Sequence, residues 1–577
     1  MADDIDAIFT QIGFGNWQLI AITAAILGPA ALAPALIGST LTNAQVPYRC
    51  REAGTLNITE GFDNGCSRSS ELVSDVQIAY NTTQWTPTIQ ETFNNVSNTS
   101  CSSWEYDTSV FTSTITMEWG FICEDAWLSS LYQMVISAGC MMGDVVGGAV
   151  GDRLGRRATL RYGSLVVVAA VLGIGLLPIY SLVLVCRLVL GLTLSSIIYP
   201  TYNLVMETTP TSQRTIVGMI LCAPYSVSVM VFAGLGYFLR DWRTLHLTSS
   251  IFAFLLLPVS WVVDESPRWL AQKGYLEEAK RVLKKAAAYN GSTLPPPEEL
   301  DKIIQKLAAA DSEQMCTESK NSSLGGLKLI FSNRPMATIV IITPLTWFLM
   351  AIVYLGIPLN VNNFGGNPFI YMALTGVMEL APTIVGVVFS KRFSRVPAMS
   401  ISFFGAGLCC LVVTAVTEEL WWLSWILVMV AMEMISTNYM MSYVWAAELY
   451  PTVIRSRGSC SCSLGGHFGF VIAPFITDFL AKRSWWLPNV ILGLCGVVAG
   501  ALVFLLPETK DLNLCETVQD VEERWKASKR KQSHDRYNLE VPSNVRSNDD
   551  SSETRGIGGN YKYQEVPPVE YEADDRI

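Results

Sequence analysis

Four ionisable side chains lie inside long apolar stretches of the sequence, where a charge is hard to accommodate. They are Asp144, Glu379, Glu433 and His467. An ionisable group deep in an apolar span usually faces a partner or a polar cavity, because an unpaired charge there is strongly disfavoured. Three carboxylates, with no lysine or arginine in the middle of any span, favour a positively charged or zwitterionic ligand on Coulombic grounds.

Two of these carboxylates also have a structural explanation. Asp144 lies near one end of its span, where helix packing accounts for it at least as well as ligand binding. Glu433 stands close to Ser436 and Asn438, with which a packing hydrogen bond is feasible. Both interpretations stay open from the sequence.

The elements that must position these groups are membrane-spanning helices. Half of the 577 residues are hydrophobic, only 16% are charged, and the mean hydropathy is +0.33. The sequence predicts twelve spans, near residues 17–41, 127–150, 158–178, 181–205, 215–238, 245–263, 337–358, 369–390, 398–416, 421–445, 458–480 and 486–506. Such runs are long enough to cross a bilayer core.

A long polar loop between the first two spans orients the chain in the membrane. It carries four cysteines (Cys50, Cys66, Cys101 and Cys123) and four N-x-S/T sequons (Asn57, Asn81, Asn95 and Asn98). Paired cysteines and glycan acceptors mark an extracytoplasmic face, whereas the basic sequence GDRLGRR at residues 151–157 marks the cytoplasmic face. We expect two disulfides with three feasible pairings. A secreted domain behind a signal peptide is disfavoured, because the first span is too long and lacks a basic leader.

These assignments divide the chain into four parts. We predict an N-terminal six-helix bundle over residues 1–263 with the extracellular loop 42–125, a cytoplasmic middle loop over 264–336, a second six-helix bundle over 337–506, and a cytoplasmic tail over 507–577. The polar, serine-rich tail is predicted to be mostly disordered and available to cytosolic binding partners. Both termini are expected in the cytoplasm. Asn290 and Asn321 also lie in sequons, but in the middle loop, so we expect no sugar on them.

The two halves of the sequence repeat one another. GDRLGRR follows span two, and a degraded version, KRFSR at residues 391–395, follows span eight. Duplicated halves around a midplane site are how many secondary transporters reach both sides of a membrane. Asp152 with Arg153, Arg156 and Arg157 would form a breakable charge clamp at a helix turn. The alternative is that these arginines only set the orientation of the chain.

The chain resembles the major facilitator superfamily, and within it the organic ion transporters of solute carrier family 22. The resemblance rests on GDRLGRR, RLVLG at residues 187–191, ESPRWL at 265–270, ELYPT at 448–452 and PETK at 507–510. The large cysteine-bearing loop ending in FICEDAW, at residues 121–127, separates it from sugar porters, which keep that loop short. The resemblance implies an all-α, twelve-helix fold of two six-helix bundles that opens alternately to either side of the plasma membrane.

The resemblance also implies roles for individual residues. Conformational change would depend on charged residues at the cytoplasmic ends of helices: Asp152, Arg153, Arg156, Arg157, Glu207, Arg214, Glu265, Arg268, Glu448, Arg455 and Glu508. The substrate cavity would be lined by Tyr202, Trp347, Tyr354, Glu379, Glu433 and His467. Aromatic faces attract protonated and quaternary amines. Trp347 could alternatively be an interfacial belt residue.

One departure from the family pattern bears on the substrate. Cation transporters of this family usually carry Asp in helix eleven, whereas anion and carnitine transporters carry Arg, and here the residue is His467. Histidine changes charge near physiological pH, so we expect pH-sensitive transport. Alternatively, His467 sits in a helix contact formed by Gly465, Gly466 and Gly469. With Glu379 present, we expect organic cations or carnitine-like zwitterions, and organic anions are the alternative.

Other functional classes are less consistent with the sequence. A primary pump would need a phosphate-binding loop of the GxxxxGK[ST] type, which is absent from the sequence. An enzyme would need a nucleophile and a base, and the three histidines (His246, His467 and His534) offer no such pair. A channel would more naturally present a ring of like residues. We therefore expect no catalytic residue, cofactor, bound metal or nucleic-acid partner.

Overall fold

The computed structural model describes residues 2–50, 67–70, 77–80, 87–90, 97–100, 103–306, 333–360, 367–451, 455–510, 515 and 519–526. Within these residues the first half contains α1 (Ala2–Ile12), α2 (Asn16–Leu36), α3 (Ser39–Thr42), α4 (Ile115–Trp119), α5 (Ala126–Leu154), α6 (Arg156–Leu176), α7 (Tyr180–Thr208), α8 (Thr211–Phe238), α9 (Trp242–Ser249), α10 (Ile251–Val262), α11 (Pro267–Gln272) and α12 (Leu276–Asn290). The second half contains α13 (Arg334–Leu359), α14 (Pro368–Arg392), α15 (Arg395–Val413), α16 (Trp421–Leu449), α17 (Arg455–Pro474), α18 (Leu480–Arg483) and α19 (Leu487–Val503).

Ten helical segments in the described part of the chain are long and apolar enough to cross a membrane. They agree with ten of the predicted spans. The other two predicted spans are also helical, as α14 and as the 17-residue α19, but neither is among those ten. The multi-pass helical architecture is therefore confirmed, and the number twelve stays a prediction.

The two halves pack in similar ways and meet along two pairs of helices. In the first half α2 packs on α8, α5 on α7 and α6 on α10, and the corresponding pairs of the second half are α13 on α17, α14 on α16 and α15 on α19. Across the boundary between the halves, α8 contacts α14 and α5 contacts α17. A central site would lie between these four helices.

Six short strands follow the first span. They are β1 (Tyr48–Cys50), β2 (Ser67–Ser70), β3 (Gln77–Tyr80), β4 (Pro87–Gln90), β5 (Ser97–Ser100) and β6 (Trp104–Tyr106). The antiparallel pairs are nested, with β1 on β6, β2 on β5 and β3 on β4. The loop is thus partly a β-structure, which the sequence analysis did not predict.

The cysteines and sequons of this loop are only partly described. Cys123 is disulfide-bonded. Cys66, Cys101, Asn57, Asn81 and Asn95 lie outside the described residues, as do the side chains of Cys50 and Asn98. The disulfide pairing and the glycosylation of the loop therefore stay predictions. Asn321 and the tail beyond residue 526 are also outside the described residues.

We call the end of the bundle that carries residues 43–125 the loop end, and the opposite end the charged end. At the loop end the two halves touch: the ring centroids of Phe111 and Phe369 are 5.4 Å apart, and those of Tyr237 and Phe369 are 6.0 Å apart. The Thr40 hydroxyl also lies 3.7 Å from the sulfur of Met372. The structure is therefore closed by packed side chains at its loop end.

Candidate functional site

The charged end contains a buried carboxylate that binds the start of a helix. The two oxygens of Glu265 accept hydrogen bonds from the backbone N–H groups of Arg156 and Arg157, each at 3.0 Å. These are the first residues of α6, whose free N–H groups and dipole favour a negative charge. Gly155, in the turn before α6, has a φ of +98°, and a Cβ there would lie 2.4 Å from a Glu265 oxygen. Both the positive φ and the close carboxylate favour glycine at position 155 of the GDRLGRR sequence.

The side chain of Arg156 extends this contact to another helix. Its guanidinium lies 3.2 Å from Glu207 at the end of α7 and 3.3 Å from Asp152 on α5. The hydroxyl of Ser266 donates to Glu207. Glu207 is only 23% exposed, whereas Asp152 is 73% exposed. The clamp predicted from GDRLGRR thus depends mainly on Glu207, with Asp152 at its solvent-facing edge.

The second half repeats the carboxylate–helix contact and the arginine–glutamate pair of this arrangement. Glu508 accepts hydrogen bonds from the backbone N–H groups of Arg395 (2.8 Å) and Val396 (3.1 Å), the first residues of α15. Arg395 in turn lies 3.1 Å from Glu448, and the Thr509 hydroxyl donates to Glu448 at 2.6 Å. The echo between GDRLGRR and KRFSR is therefore a structural repeat.

Other predicted gating residues lie elsewhere. Arg214 and Arg268 both pair with Asp6 of α1, Arg214 at 2.6 Å. Arg153 is exposed at the end of α5, and the side chain of Arg455 is outside the described residues. The role of Asp6 was not predicted from the sequence, because its partners are more than 200 residues away.

Between the halves, the predicted site residue His467 contacts Asp144. Nε2 of His467 on α17 meets a carboxylate oxygen of Asp144 on α5. The two side chains are 13% and 12% exposed, and Nδ1 of His467 and the second oxygen of Asp144 have no hydrogen-bond partner in the described structure. Gly465 and Gly469 pack against the backbone of α13, so the glycine-rich contact and the polar contact exist together.

Glu379 on α14 is the most isolated carboxylate in the interior. It is 5% exposed, and neither of its oxygens has a hydrogen-bond partner among the described residues. Tyr225 of α8 and Tyr439 of α16 are close enough to interact with it electrostatically. Glu379 therefore faces the boundary between the halves.

Aromatic side chains from both halves meet at this boundary. The ring of Tyr439 stacks on Tyr354 at 4.9 Å between centroids, and Trp347 meets the edge of Tyr443 at 4.8 Å. Tyr443 donates to the Tyr439 hydroxyl at 3.1 Å, and it also interacts electrostatically with Tyr199 of the first half. We call Tyr199, Tyr225, Tyr354, Tyr439 and Tyr443 the tyrosine cluster.

Two members of the tyrosine cluster keep accessible surface. Tyr199 and Tyr443 retain 42% and 44% of their surface accessible, although they interact with each other across the halves. Four of the five cluster members were missed in the sequence. The spacing of Tyr439 and Tyr443, four residues apart on one helical face, was the signal available.

The remaining predicted site residues occupy different positions. Trp347 is buried within α13, and its indole N–H has no hydrogen-bond partner in the described structure, which does not fit an interfacial belt residue. Tyr202 instead faces Gly218 of α8, a helix of its own half. Glu433 is half-buried, with the Thr437 hydroxyl 3.5 Å from one of its oxygens. Its hydrogen-bond neighbour is thus Thr437 and not Ser436 or Asn438.

Among the described spans, α7 carries a buried cation close to its start, outside the middle of the spans where the sequence predicted none. Arg187 lies within α7 and is fully buried. It donates to the carbonyls of Tyr132 (2.8 Å) and Ala35 (3.2 Å) and to the side chain of Gln133 (3.1 Å). Its guanidinium also lies 3.6 Å from the centroid of the Tyr132 ring. Its described partners are neutral, and Glu379 is not one of them.

No group of three His, Cys, Asp or Glu side chains that could hold a metal ion occurs within the described ranges. The arrangement instead combines a duplicated charged end, a closed loop end and a polar, aromatic interior at the boundary of two helical halves. These features are those of a transporter that rearranges around a central site.

Comparison with known proteins agrees with this class. Residues 76–520 match the family model described as sugar (and other) transporter. The solved structure of the xylose transporter XylE from E. coli, in a partially occluded inward open conformation, aligns with a TM-score of 0.57. That alignment covers 86% of this chain and 99% of that chain at 15% identity, which shows the fold alone. The protein is a multi-pass membrane transporter of the major facilitator fold, not an enzyme.

Curated relatives narrow the family. Solute carrier family 22 member 1 of Oryctolagus cuniculus is 30% identical, over 74% of this chain and 75% of that protein. The organic cation transporter protein of Drosophila melanogaster is 29% identical, over 73% and 76%. Solute carrier family 22 member 6 of Danio rerio is 29% identical, over 73% and 74%. The chain belongs to solute carrier family 22, as the sequence motifs indicated.

Proposed function

We propose that this protein is a facilitative transporter of organic cations, or of carnitine-like zwitterions that carry an ammonium group. In this proposal Glu379 and the tyrosine cluster bind the cationic part of the substrate. The substrate enters from the loop end, which we place outside the plasma membrane, and leaves at the charged end. Both termini are then cytoplasmic. The name of the Drosophila relative, an organic cation transporter protein, is consistent with this substrate class.

The observation that carries the proposal is the isolation of Glu379. A buried carboxylate without a partner is strongly disfavoured when ionised. Both of its oxygens are buried and without a hydrogen-bond partner in the described structure, so an incoming cation would supply the missing charge. An organic anion would instead add a second negative charge beside it.

The tyrosine cluster supports a substrate with a delocalised or quaternary cation. Tyr439 interacts with Glu379 and also stacks on Tyr354, so aromatic faces and a carboxylate border the same region. A desolvated cation gains roughly 0.5–2 kcal/mol from an aromatic face. Such faces tolerate many shapes, which agrees with a polyspecific carrier.

The membrane potential suffices to drive a monovalent cation. One elementary charge that crosses the membrane gains about 2.3 kcal/mol per 100 mV. At a potential of about 100 mV this supports roughly fiftyfold accumulation with no coupling ion. A zwitterion carries no net charge and would need a coupling ion. Organic anions remain the alternative substrate class, and family 22 membership alone does not choose between the two.

The test is radiolabelled uptake of tetraethylammonium, carnitine and an aromatic carboxylate by wild type, Glu379→Gln, Glu379→Asp and Glu419→Gln. Glu419 is an exposed carboxylate in the short 3-10 helix Glu418–Leu420 that precedes α16, so its substitution is the matched control. A charge pair at roughly 5 Å in a medium of effective dielectric constant about 20 is worth about 3 kcal/mol. We therefore expect Glu379→Gln to raise the tetraethylammonium KM more than about tenfold, whereas Glu379→Asp and Glu419→Gln transport it nearly normally.

Surface biotinylation provides the control for expression. An unchanged tetraethylammonium KM in Glu379→Gln at normal surface abundance would refute the role of Glu379. Uptake of only the aromatic carboxylate by the wild type would favour the anion alternative.

A further inference from the structure

We propose that Asp144 and His467 form a proton-operated latch between the two halves, so that proton binding stabilises the conformation closed at the loop end. We call this contact the interhalf latch. The inference extends the proposed function by assigning a regulatory proton site. It does not depend on which organic ion is carried.

The first argument is the position of the interhalf latch. Asp144 is on α5 of the first half and His467 is on α17 of the second, 323 residues later in the chain. The other ion pairs between spans described above, such as Arg156–Glu207 and Arg395–Glu448, lie within one half. A contact that joins the halves must break or rearrange when they move apart. Whether the interhalf latch is formed therefore depends directly on the conformation of the protein.

The second argument is the balance of charge. With Asp144 ionised and His467 protonated, the pair is neutral overall and its two charges attract each other in a weakly polar interior. With His467 neutral, the same contact retains an unbalanced carboxylate. When the halves separate, a protonated pair becomes two isolated charges within the membrane, which is unfavourable. The proton and the contact therefore stabilise each other.

The sign of the pH effect follows from this linkage. The stabilising contribution is complete at low pH, where the pair holds its proton, and is lost as the pH rises and the proton leaves. Since the interhalf latch coexists with the packed loop end around Phe369, acidification should favour closure of the loop end. Uptake from that side needs the loop end to open, so uptake should slow as pH falls.

Other titratable groups face the interhalf latch from each neighbouring helix. Asp144 interacts electrostatically with the Cys140 thiol on α5, Tyr199 on α7, and Tyr439 and Tyr443 on α16. Glu379 on α14 lies beyond Tyr439. The phenols and the thiol ordinarily hold their protons between pH 5 and 8. Glu379 is therefore the group whose titration must be separated from that of the interhalf latch.

The first experiment measures the loop end without any substrate. Spin labels are attached through p-acetylphenylalanine at positions 238 and 370, two exposed residues next to the Tyr237–Phe369 contact, which leaves all native cysteines unchanged. Electron–electron double resonance then gives the distance distribution from pH 5.5 to 8.0. We expect the ratio of short to long distances to rise about tenfold towards pH 5.5, also in a Glu379→Gln background.

Matched variants assign the effect to the pair. Asp144→Asn and His467→Gln should each flatten the pH response, and the exchanged variant Asp144→His/His467→Asp should restore it. A pH response retained in both single variants would refute the interhalf latch. The exchanged variant keeps one carboxylate and one imidazole. If it has normal abundance and does not restore the pH response, that result would also count against the interhalf latch.

The second experiment separates the interhalf latch from simple cavity electrostatics. Uptake of tetraethylammonium and of an aromatic carboxylate is measured at pH 5.5 and at pH 8.0. The interhalf latch predicts that acid slows both substrates by a similar factor, whereas a titrating cavity charge would slow the cation and speed the anion. Opposite trends that persist when Glu379→Gln is measured in the same way would overturn the proposal, because protonation of Glu379 would by itself slow the cation and speed the anion in the wild type. If the protein does not transport the cation, that result contradicts the proposed function only. The spin-label experiment would then still test the interhalf latch.

Discussion

Glu207 and Asp152, the two acidic partners of Arg156, contribute differently to the stability of the folded protein. A pair of substitutions can separate the two contributions. We compare Glu207→Gln with Asp152→Asn, which each remove one negative charge and preserve shape. Glu207 and the Arg156 guanidinium are largely buried, with 23% and 10% of their side-chain surface exposed. Asp152 is 73% exposed, and solvent therefore screens its attraction to Arg156. Both acidic residues lie within 3.3 Å of the same guanidinium.

The expected magnitudes follow from this exposure. Breaking a fully buried ion pair costs about 3–5 kcal/mol, and the residual exposure of Glu207 reduces this to about 2 kcal/mol. An exposed pair such as Asp152–Arg156 is worth about 0–1 kcal/mol. Glu448→Gln should match Glu207→Gln, because Arg395 and Glu448 are buried to a similar extent in the second half.

The assay is thermal unfolding of the purified protein in detergent, with uptake at saturating substrate measured in parallel. A loss of about 2 kcal/mol should lower Tm by a few °C, since the shift per kcal/mol shrinks as a protein becomes larger. Asp152→Asn should leave Tm within about 1 °C of wild type. A larger effect of Asp152→Asn than of Glu207→Gln would refute the assignment of Glu207 as the main partner of Arg156.

Two further predictions concern the charged end and the packing of the helices. Burial raises the pKa of Glu265, so the folded protein binds this proton more tightly than the unfolded chain, and its contribution to stability falls as pH rises through that pKa. Glu265→Gln should therefore flatten the pH dependence of Tm and lower Tm at pH 7.5 less than Glu265→Ala does, because the amide oxygen still accepts from one helix N–H group, whereas alanine accepts from neither; an equal or larger Tm loss in the Gln variant would contradict this. Gly143→Ala should sharply lower surface abundance, because a Cβ there would lie 2.3 Å from the Leu192 carbonyl oxygen on α7. Gly148→Ala on the same helix, where no atom lies within 4 Å of the new Cβ, should be tolerated, and equal abundance of the two variants would disprove the close approach.

The sequence singled out ionisable residues within the spans but not the groups that they contact. Glu379 and His467 were identified because an ionisable group in an apolar span is conspicuous. Their neighbours were not, since the partner of His467 lies 323 residues away. His467 was expected to line one cavity with Glu379 and Glu433, and in the structure it contacts Asp144. Asp144, for which helix packing seemed as good an explanation, thus has a polar partner in the other half.

The sequence by itself determined the class of architecture. The length and apolarity of its spans require helices in a bilayer, because backbone groups must be satisfied within each segment there. The repeated basic motifs located the charged end, since local signals of a few residues suffice for that. These properties are carried by neighbouring residues and need no knowledge of distant contacts.

Only the tertiary structure decided which groups meet. The tyrosine cluster combines residues of α7, α8, α13 and α16, and the pairing of Asp6 with Arg214 joins residues 208 apart in sequence. Glu265 accepts a hydrogen bond from the first N–H group of α6, and Glu508 accepts one from the first N–H group of α15. This correspondence is visible only in the folded structure. Such contacts depend on how helices cross and rotate, and that is set by packing over the whole bundle.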